Sequence, residues 1–134
     1  MVSQGPGRKG IRMSDYQPDL WVVVKITTTK ETLYKVFASW HGGYNGSDLW
    51  KMNSGITNAT LVDDVWEFSG YSGSVYSCHK EAYGTNGYGG RVLQGFIDKA
   101  PSADSTIEIM PKDTDWARVP YDALQQFVAE GDKV

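Results

Sequence analysis

The 134-residue sequence contains one cysteine and two histidines, and this scarcity argues against several kinds of site. A single thiol, Cys78, cannot close an intramolecular disulfide, and it does not supply the paired cysteines of a zinc site. His41 and His79 add too few ligands for a typical metal centre. We therefore predict neither a bound metal nor a cofactor.

Long apolar runs are also absent. The longest, residues 20–24, is far shorter than the roughly 20 residues that a helix needs to cross a bilayer. The amino terminus shows no basic segment followed by an apolar stretch and a cleavage site, as a signal peptide would. We expect a cytoplasmic protein that does not contact a membrane.

The sequence has fewer basic than acidic residues, 13 against 16, so its net charge is −3. Three of the basic residues, Arg8, Lys9 and Arg12, lie in a stretch that also contains glycine and proline. Non-specific binding to duplex nucleic acid depends on neutralising phosphates, so duplex nucleic acid is not an expected partner. Residues 1–13 are predicted to be a flexible leader, and residues 14–134 a single domain.

The first half of that domain has the composition of β-strands. The segments 21–26 and 33–40 are rich in β-branched and aromatic residues, and a short polar connection between them predicts an antiparallel hairpin. Alternation in the second strand places Tyr34, Val36, Ala38 and Trp40 on one face. This face is the preferred core face.

Four further segments also read as strands. Residues 49–52 predict a short edge strand, and residues 56–62, 65–68 and 75–79 predict a three-stranded meander with turns at its glycines and aspartates. Residues 74–82 fit a helix as well, because their apolar side chains also recur at helical spacing. The strand is the preferred interpretation of the two.

Helical patterns dominate towards the carboxyl terminus. Val92, Leu93, Phe96 and Ile97 form the apolar face of a helix that is expected to begin near Arg91 and to end at Pro101. A short strand is predicted at residues 106–110, and Pro120 suits the start of a final helix carrying Leu124, Phe127 and Val128. The predicted fold is α+β, a twisted antiparallel sheet of five or six strands with two helices.

The pair Cys78-His79 resembles a thiol–imidazole couple, but its geometry is unfavourable. Adjacent residues of a strand point to opposite faces, so His79 cannot activate Cys78 there. Cys78 is expected to be a small buried apolar residue. We predict no catalytic residue; His41 and His79 are candidates only if the protein is an enzyme.

A glycine-rich segment, residues 84–91, lies between the last meander strand and the first helix. Such loops can aim backbone N–H groups at an anion, and Gly87, Gly89 and Arg91, with Lys80 nearby, are candidate phosphate-binding residues. The segment lacks the Gly-Lys-Ser/Thr ending of a P-loop. A plain flexible connector is the alternative.

Aromatic residues are concentrated between positions 34 and 88. Many of them suit core positions and cross-strand pairs, whereas Tyr44, Tyr71 and Tyr88 lie in predicted loops. Tyrosine is favoured at binding surfaces because its ring is apolar and its hydroxyl is polar. We predict that these three tyrosines are exposed and contact a ligand.

Three segments carry a resemblance to known proteins: YKVFASWHGGY (34–44), DLWKMNSGI (48–56) and GYSGSVY (70–76). They resemble short uncharacterised proteins encoded by tailed bacteriophages, and the resemblance covers about residues 20–99. It carries over no catalytic residues. It implies a small phage accessory protein that acts in the host cytoplasm.

The leading hypothesis is a non-enzymatic protein that binds and modulates or neutralises a host component. The target is either a host protein or a small phosphorylated ligand. One alternative is a small enzyme that acts on a nucleotide or nucleic acid through a histidine, and another is a minor virion or assembly protein. Self-association through the edge strand at residues 49–52 is also left open.

Overall fold

The computed structural model describes residues 15–41 and 49–121. Within these ranges the chain forms seven strands and one α-helix. In chain order they are β1 (Leu20–Thr27), β2 (Thr32–Trp40), β3 (Leu49–Met52), β4 (Ile56–Val62), β5 (Val65–Gly70), β6 (Val75–His79), α1 (Gly87–Lys99) and β7 (Thr106–Ile109). The α+β class is confirmed, with antiparallel pairing throughout the two sheets.

The strands form two sheets, so the prediction of one sheet with five or six strands was wrong. The first sheet has the order β3-β2-β1-β7 and the second has the order β4-β5-β6. The chain leaves the first sheet at Asn53, which exchanges hydrogen bonds with the backbone of Val36 through its own N–H and its side-chain Oδ1. Gly55 then adopts a φ of 132°, which glycine tolerates best. This bend sends β4 into the second sheet.

The predicted hairpin of β1 and β2 is confirmed, and its register runs from Leu20 opposite Ser39 to Thr27 opposite Thr32. Thr28 closes the connection, because its Oγ1 accepts hydrogen bonds from the N–H groups of Lys30 and Glu31. A threonine hydroxyl that bonds nearby backbone in this way is a common turn device. The hairpin is therefore specified locally.

The prediction that one face of β2 forms the core was incomplete. Val36 and Ala38 are fully buried as expected, but Phe37 and Ser39 on the opposite face are also 0% exposed. β2 is a central strand, and α1 covers the face that carries Phe37 while the second sheet packs on the other. A strand that is buried on both faces carries no clear alternation of apolar and polar residues.

Two apolar clusters result from this layering. The cluster between the sheets contains, among its buried members, Trp21, Val23, Val36, Ala38, Ile56, Ala59, Phe68, Tyr76, Cys78 and Trp116. The cluster under the helix contains Val22, Val24, Phe37 and Leu93. Successive residues of β1 thus alternate between the two clusters, as the period of a strand requires.

Residues 75–79 form strand β6, so the preferred interpretation of this segment is confirmed. All five residues pair with β5, and the backbone of Tyr16 pairs in parallel with Tyr76 along the other edge. Cys78 faces the core at 0% exposure, while the neighbouring His79 is exposed. The two side chains therefore lie on opposite faces of the strand.

Helix α1 begins at Gly87, four residues before the predicted start at Arg91. Glycine has low helix propensity, but Asn86 caps this helix and Gly89 lets its first turn approach β2 closely. The helix ends at Lys99, before Pro101, and β7 is found where a strand was predicted. The predicted final helix lies almost wholly outside the described residues.

None of the described helices is long and apolar enough to span a membrane.

Candidate functional site

A cleft of about 350 Å³ lies at the margin of the core between the two sheets. Its apolar lining is provided by Trp21, Leu61, Trp66, Tyr83 and Trp116. Trp21 and Trp116 are each only 1% exposed and form the floor, whereas Leu61 is 47% exposed and lies near the mouth. Leu61 and Trp66 are cross-strand partners in β4 and β5, so they form one side of the cleft together.

Hydrogen bonds and ring contacts fix the floor of the cleft. Trp21 donates its indole N–H to the carbonyl of His79 at 2.7 Å. Tyr83 donates its hydroxyl to the carbonyl of Met110 at 2.6 Å, and its ring packs edge to face on Trp21 with centroids 4.7 Å apart. Burial raises the pKa of Tyr83 to about 12, so this hydroxyl is neutral at physiological pH. The floor is preorganised, as binding sites usually are.

Charged and polar side chains surround this floor. They belong to Lys80, Glu81, Lys112, Asp113 and Thr114. Thr114 donates both its N–H and its hydroxyl to the carbonyl of Pro111, which holds the turn that carries Lys112 and Asp113. The lining thus brings together two ammonium groups and two carboxylates.

The two lysines differ in their surroundings. Lys80 Nζ lies 3.2 Å from Asp64 Oδ1, and both side chains are largely exposed. Asp64 itself does not line the cleft. Lys112 forms no ion pair within the part of the chain that the structure describes. Of the two, Lys112 is more readily available to an anionic ligand.

The structure separates the residues that the sequence grouped into one ligand site. Lys80 lines the cleft, but Gly87, Tyr88, Gly89 and Arg91 do not; they occupy the beginning of α1. The predicted cooperation of Lys80 with the glycine-rich segment is therefore not seen at this cleft. Lys80 shares the cleft lining with aromatic side chains instead.

The start of α1 has partners for part of its backbone. Asn86 Oδ1 accepts a hydrogen bond from the N–H of Gly89 at 2.6 Å, and the carbonyl of Asn86 accepts one from Gly90 at 2.8 Å. These N–H groups are satisfied within the protein. Residues 87–91 belong to the capped start of α1, so the prediction of a flexible connector was wrong for them and only residues 84–86 connect β6 to the helix. Anion binding at this segment stays a prediction.

The predicted exposed tyrosines lie in separate places. Tyr71 is 45% exposed in the turn between β5 and β6, and Tyr88 is 41% exposed in the first turn of α1. Tyr44 lies outside the described residues. Neither Tyr71 nor Tyr88 lines the cleft, and their contact with a ligand remains a prediction.

The histidines and the cysteine lie outside the cleft lining. His79 Nδ1 accepts a hydrogen bond from the backbone N–H of Glu81 at 3.1 Å. His41 is exposed, and its backbone N–H donates to Asp19 Oδ2. Burial raises the pKa of the Cys78 thiol, which disfavours the reactive thiolate. No cluster of three potential metal ligands occurs among the residues whose positions are described.

Several cleft residues were not singled out from the sequence. Lys112, Asp113 and Thr114 follow β7 and carry no local motif, so only tertiary folding reveals that they line the same cleft as Trp66. The pairing of Leu61 with Trp66 had a signal, because a two-residue turn at Asp63 and Asp64 makes them partners across the hairpin.

Comparisons with protein-family models, curated protein sequences and solved structures found no match to this chain. The phage resemblance noted from the sequence therefore stays a prediction.

Proposed function

We propose that this protein is a non-enzymatic binding protein that holds a small phosphorylated ligand in the cleft between its sheets. The observation that carries the proposal is the presence of aromatic side chains and two lysines in the lining of one cavity. Its volume of about 350 Å³ falls within the range of small-ligand sites, roughly 300–1,000 Å³. Lysine binds phosphate as a compact positive charge.

The lining favours binding over catalysis. It contains neither histidine nor cysteine, and its tyrosine hydroxyl is already bonded to backbone. Glu81 and Asp113 can accept hydrogen bonds from a ligand, but neither has a partner in the lining that would make it a recognisable acid or base. Retention of a ligand requires only the apolar lining of the cleft and the charges around it.

The phage resemblance supplies a setting for this role. A protein that sequesters a phosphorylated host signal neutralises that signal without turning it over. Such a protein acts in the host cytoplasm. A host protein as target is the weaker alternative, because the exposed tyrosines that favour it are dispersed over the surface.

Binding can be tested by amide NMR spectra of isotope-labelled protein during titration with ribose 5-phosphate. We expect the amide signals of Lys80 and of residues 112–114, which line the cleft, to shift. Lys112→Met should weaken binding about tenfold, since hydrogen bonds to charged groups contribute about 1.5–3 kcal/mol. Lys30→Met is the matched control, because Lys30 is exposed in the β1–β2 turn and does not line the cleft.

Asp64→Asn should change the affinity for ribose 5-phosphate in the opposite direction. It releases Lys80 from its ion pair, so affinity for ribose 5-phosphate should rise a few-fold at low ionic strength. If ribose 5-phosphate shifts no signal around the cleft, or if Lys30→Met weakens binding as much as Lys112→Met, the cleft is not a phosphate-binding site.

A further inference from the structure

We infer that the ligand is a nucleoside monophosphate whose base stacks on Trp66 and whose phosphate contacts Lys112 and Lys80. This inference rests on the proposed function and names its ligand class. It follows from which ring is accessible, from the balance of charges around the cleft and from the size of the cleft.

Only one indole of the lining offers an accessible surface. Trp21 and Trp116 are each 1% exposed, so they can contact little more than the edge of a ligand. Trp66 is half-buried and lies beside Leu61, which is 47% exposed. Its other neighbour is Phe68, whose ring centroid is 6.3 Å away at an interplanar angle of 28°.

A planar ring fits this side of the cleft. Phe68 supports Trp66 within the second sheet, and Leu61 extends the apolar surface towards solvent. Any of the nucleobases can stack on such an aromatic surface, because every base has a π-face. A sugar phosphate without a base would leave this surface uncovered.

The charges around the cleft limit the number of phosphates. Lys80 and Lys112 share the cleft lining with Glu81 and Asp113, and Lys80 also forms an ion pair with Asp64. A single phosphate carries about −1.5 to −2 near neutral pH, which two lysines can balance. A triphosphate would bring further negative charge towards the carboxylates. The carboxylates suit the N–H and O–H donors of a base and ribose.

The size of the cleft agrees with one nucleotide. Its volume of about 350 Å³ lies near the lower end of the range for small-ligand sites. Larger ligands such as dinucleotides would extend beyond the aromatic floor.

Calorimetric titration of the full chain tests the inference. The probes are the four common ribonucleoside monophosphates, adenosine, ribose 5-phosphate and ATP, at one ionic strength. We expect at least one monophosphate to bind about tenfold more tightly than ribose 5-phosphate, and AMP to bind more tightly than ATP and adenosine. Thermal melts of each variant verify folding.

Two variants assign the contribution of the ring. Trp66→Leu keeps an apolar side chain and should weaken monophosphate binding about fivefold or more, while leaving ribose 5-phosphate binding unchanged. Tyr88→Leu, which removes an exposed ring outside the cleft, should change neither.

The outcomes separate the inference from the proposed function. The inferred ligand class is wrong, while the phosphate site stands, if ribose 5-phosphate binds at the cleft and no monophosphate binds more tightly. The same conclusion follows if ATP binds more tightly than AMP. If no phosphorylated probe binds, both proposals fail. Loss of affinity for ribose 5-phosphate in Trp66→Leu would show a structural role for the indole, and would also overturn the stacking inference.

Discussion

Gly89 is a residue at which a single methyl group is expected to disturb the packing of α1 on the first sheet. A Cβ built there lies 2.5 Å from Ser39 Oγ and 3.0 Å from Asn86 Oδ1. Ser39 is fully buried in the central strand β2, so it cannot move aside easily. Gly89→Ala should therefore lower the free energy of unfolding by about 1–3 kcal/mol, as overpacking does. Urea denaturation measures this change.

Gly95 provides the matched control in the same helix. A Cβ built at Gly95 meets no atom within 4 Å, and alanine has the higher helix propensity. Gly95→Ala should raise the free energy of unfolding by about 0.5–1 kcal/mol. Equal effects of the two substitutions would show that propensity, and not the contact with Ser39, governs position 89.

At the scale of an element, the start of α1 depends on Asn86. Its Oδ1 accepts the hydrogen bond from Gly89, and its Nδ2 donates to the carbonyl of Trp40 at 3.3 Å. Asn86→Ala removes both bonds and should lower the free energy of unfolding by about 1–2 kcal/mol. Asn86→Asp keeps the acceptor and adds a charge that favours a helix amino terminus, so it should retain most of the stability.

The comparison of these two variants distinguishes the contribution of the cap from that of the hydrogen bond to Trp40. Both replace the amide, and both lose the donor to Trp40. If Asn86→Asp is as unstable as Asn86→Ala in urea denaturation, the bond to Trp40 matters more than the cap.

The same elements show what the sequence could and could not predict. The β1–β2 hairpin and the strand β7 follow from local composition, and both were predicted. The start of α1 was missed because Gly89 is needed where the helix approaches Ser39 closely, and Ser39 is distant in sequence. The second sheet was missed because the bend at Asn53 and Gly55 depends on hydrogen bonds to Val36.

The candidate site was predicted less well than the fold, for a related reason. Lys80 was identified from its proximity to the glycine-rich segment, yet its neighbours in the cleft include Trp66 and Lys112. The cleft lining thus combines residues of the β4–β6 sheet with residues that follow β7. Periodicity and composition report on positions a few residues apart, so they do not reveal such a juxtaposition.

At the scale of the whole molecule, buried tyrosines join the elements. Tyr83 links β1 to the chain after β7, since its hydroxyl accepts from Val23 N–H and donates to Met110. Tyr76 of the second sheet packs on Tyr16, which precedes β1, and their ring centroids are 4.7 Å apart. Burial raises the pKa of each to about 12, from the usual value of 10. Both hydroxyls are therefore harder to ionise in the folded than in the unfolded chain.

The raised pKa values of Tyr76 and Tyr83 predict a loss of stability at alkaline pH. Below about pH 10 these tyrosines are protonated in both states, so they contribute no pH dependence. Between about pH 10 and 12 the unfolded chain loses protons that the folded protein keeps, so the free energy of unfolding falls as pH rises. We expect the urea midpoint to decline across this interval.

Tyr83→Phe separates this effect from general alkaline repulsion. The substitution removes the hydrogen bond to Met110, so the variant should be less stable than the parent protein at neutral pH. It also removes one of the groups that ionise only on unfolding, so its stability should decline less steeply between about pH 10 and 12. The two stability curves should converge with increasing pH. Parallel curves would mean that Tyr83 ionises equally in both states, in which case its hydroxyl is not held in the buried arrangement described above.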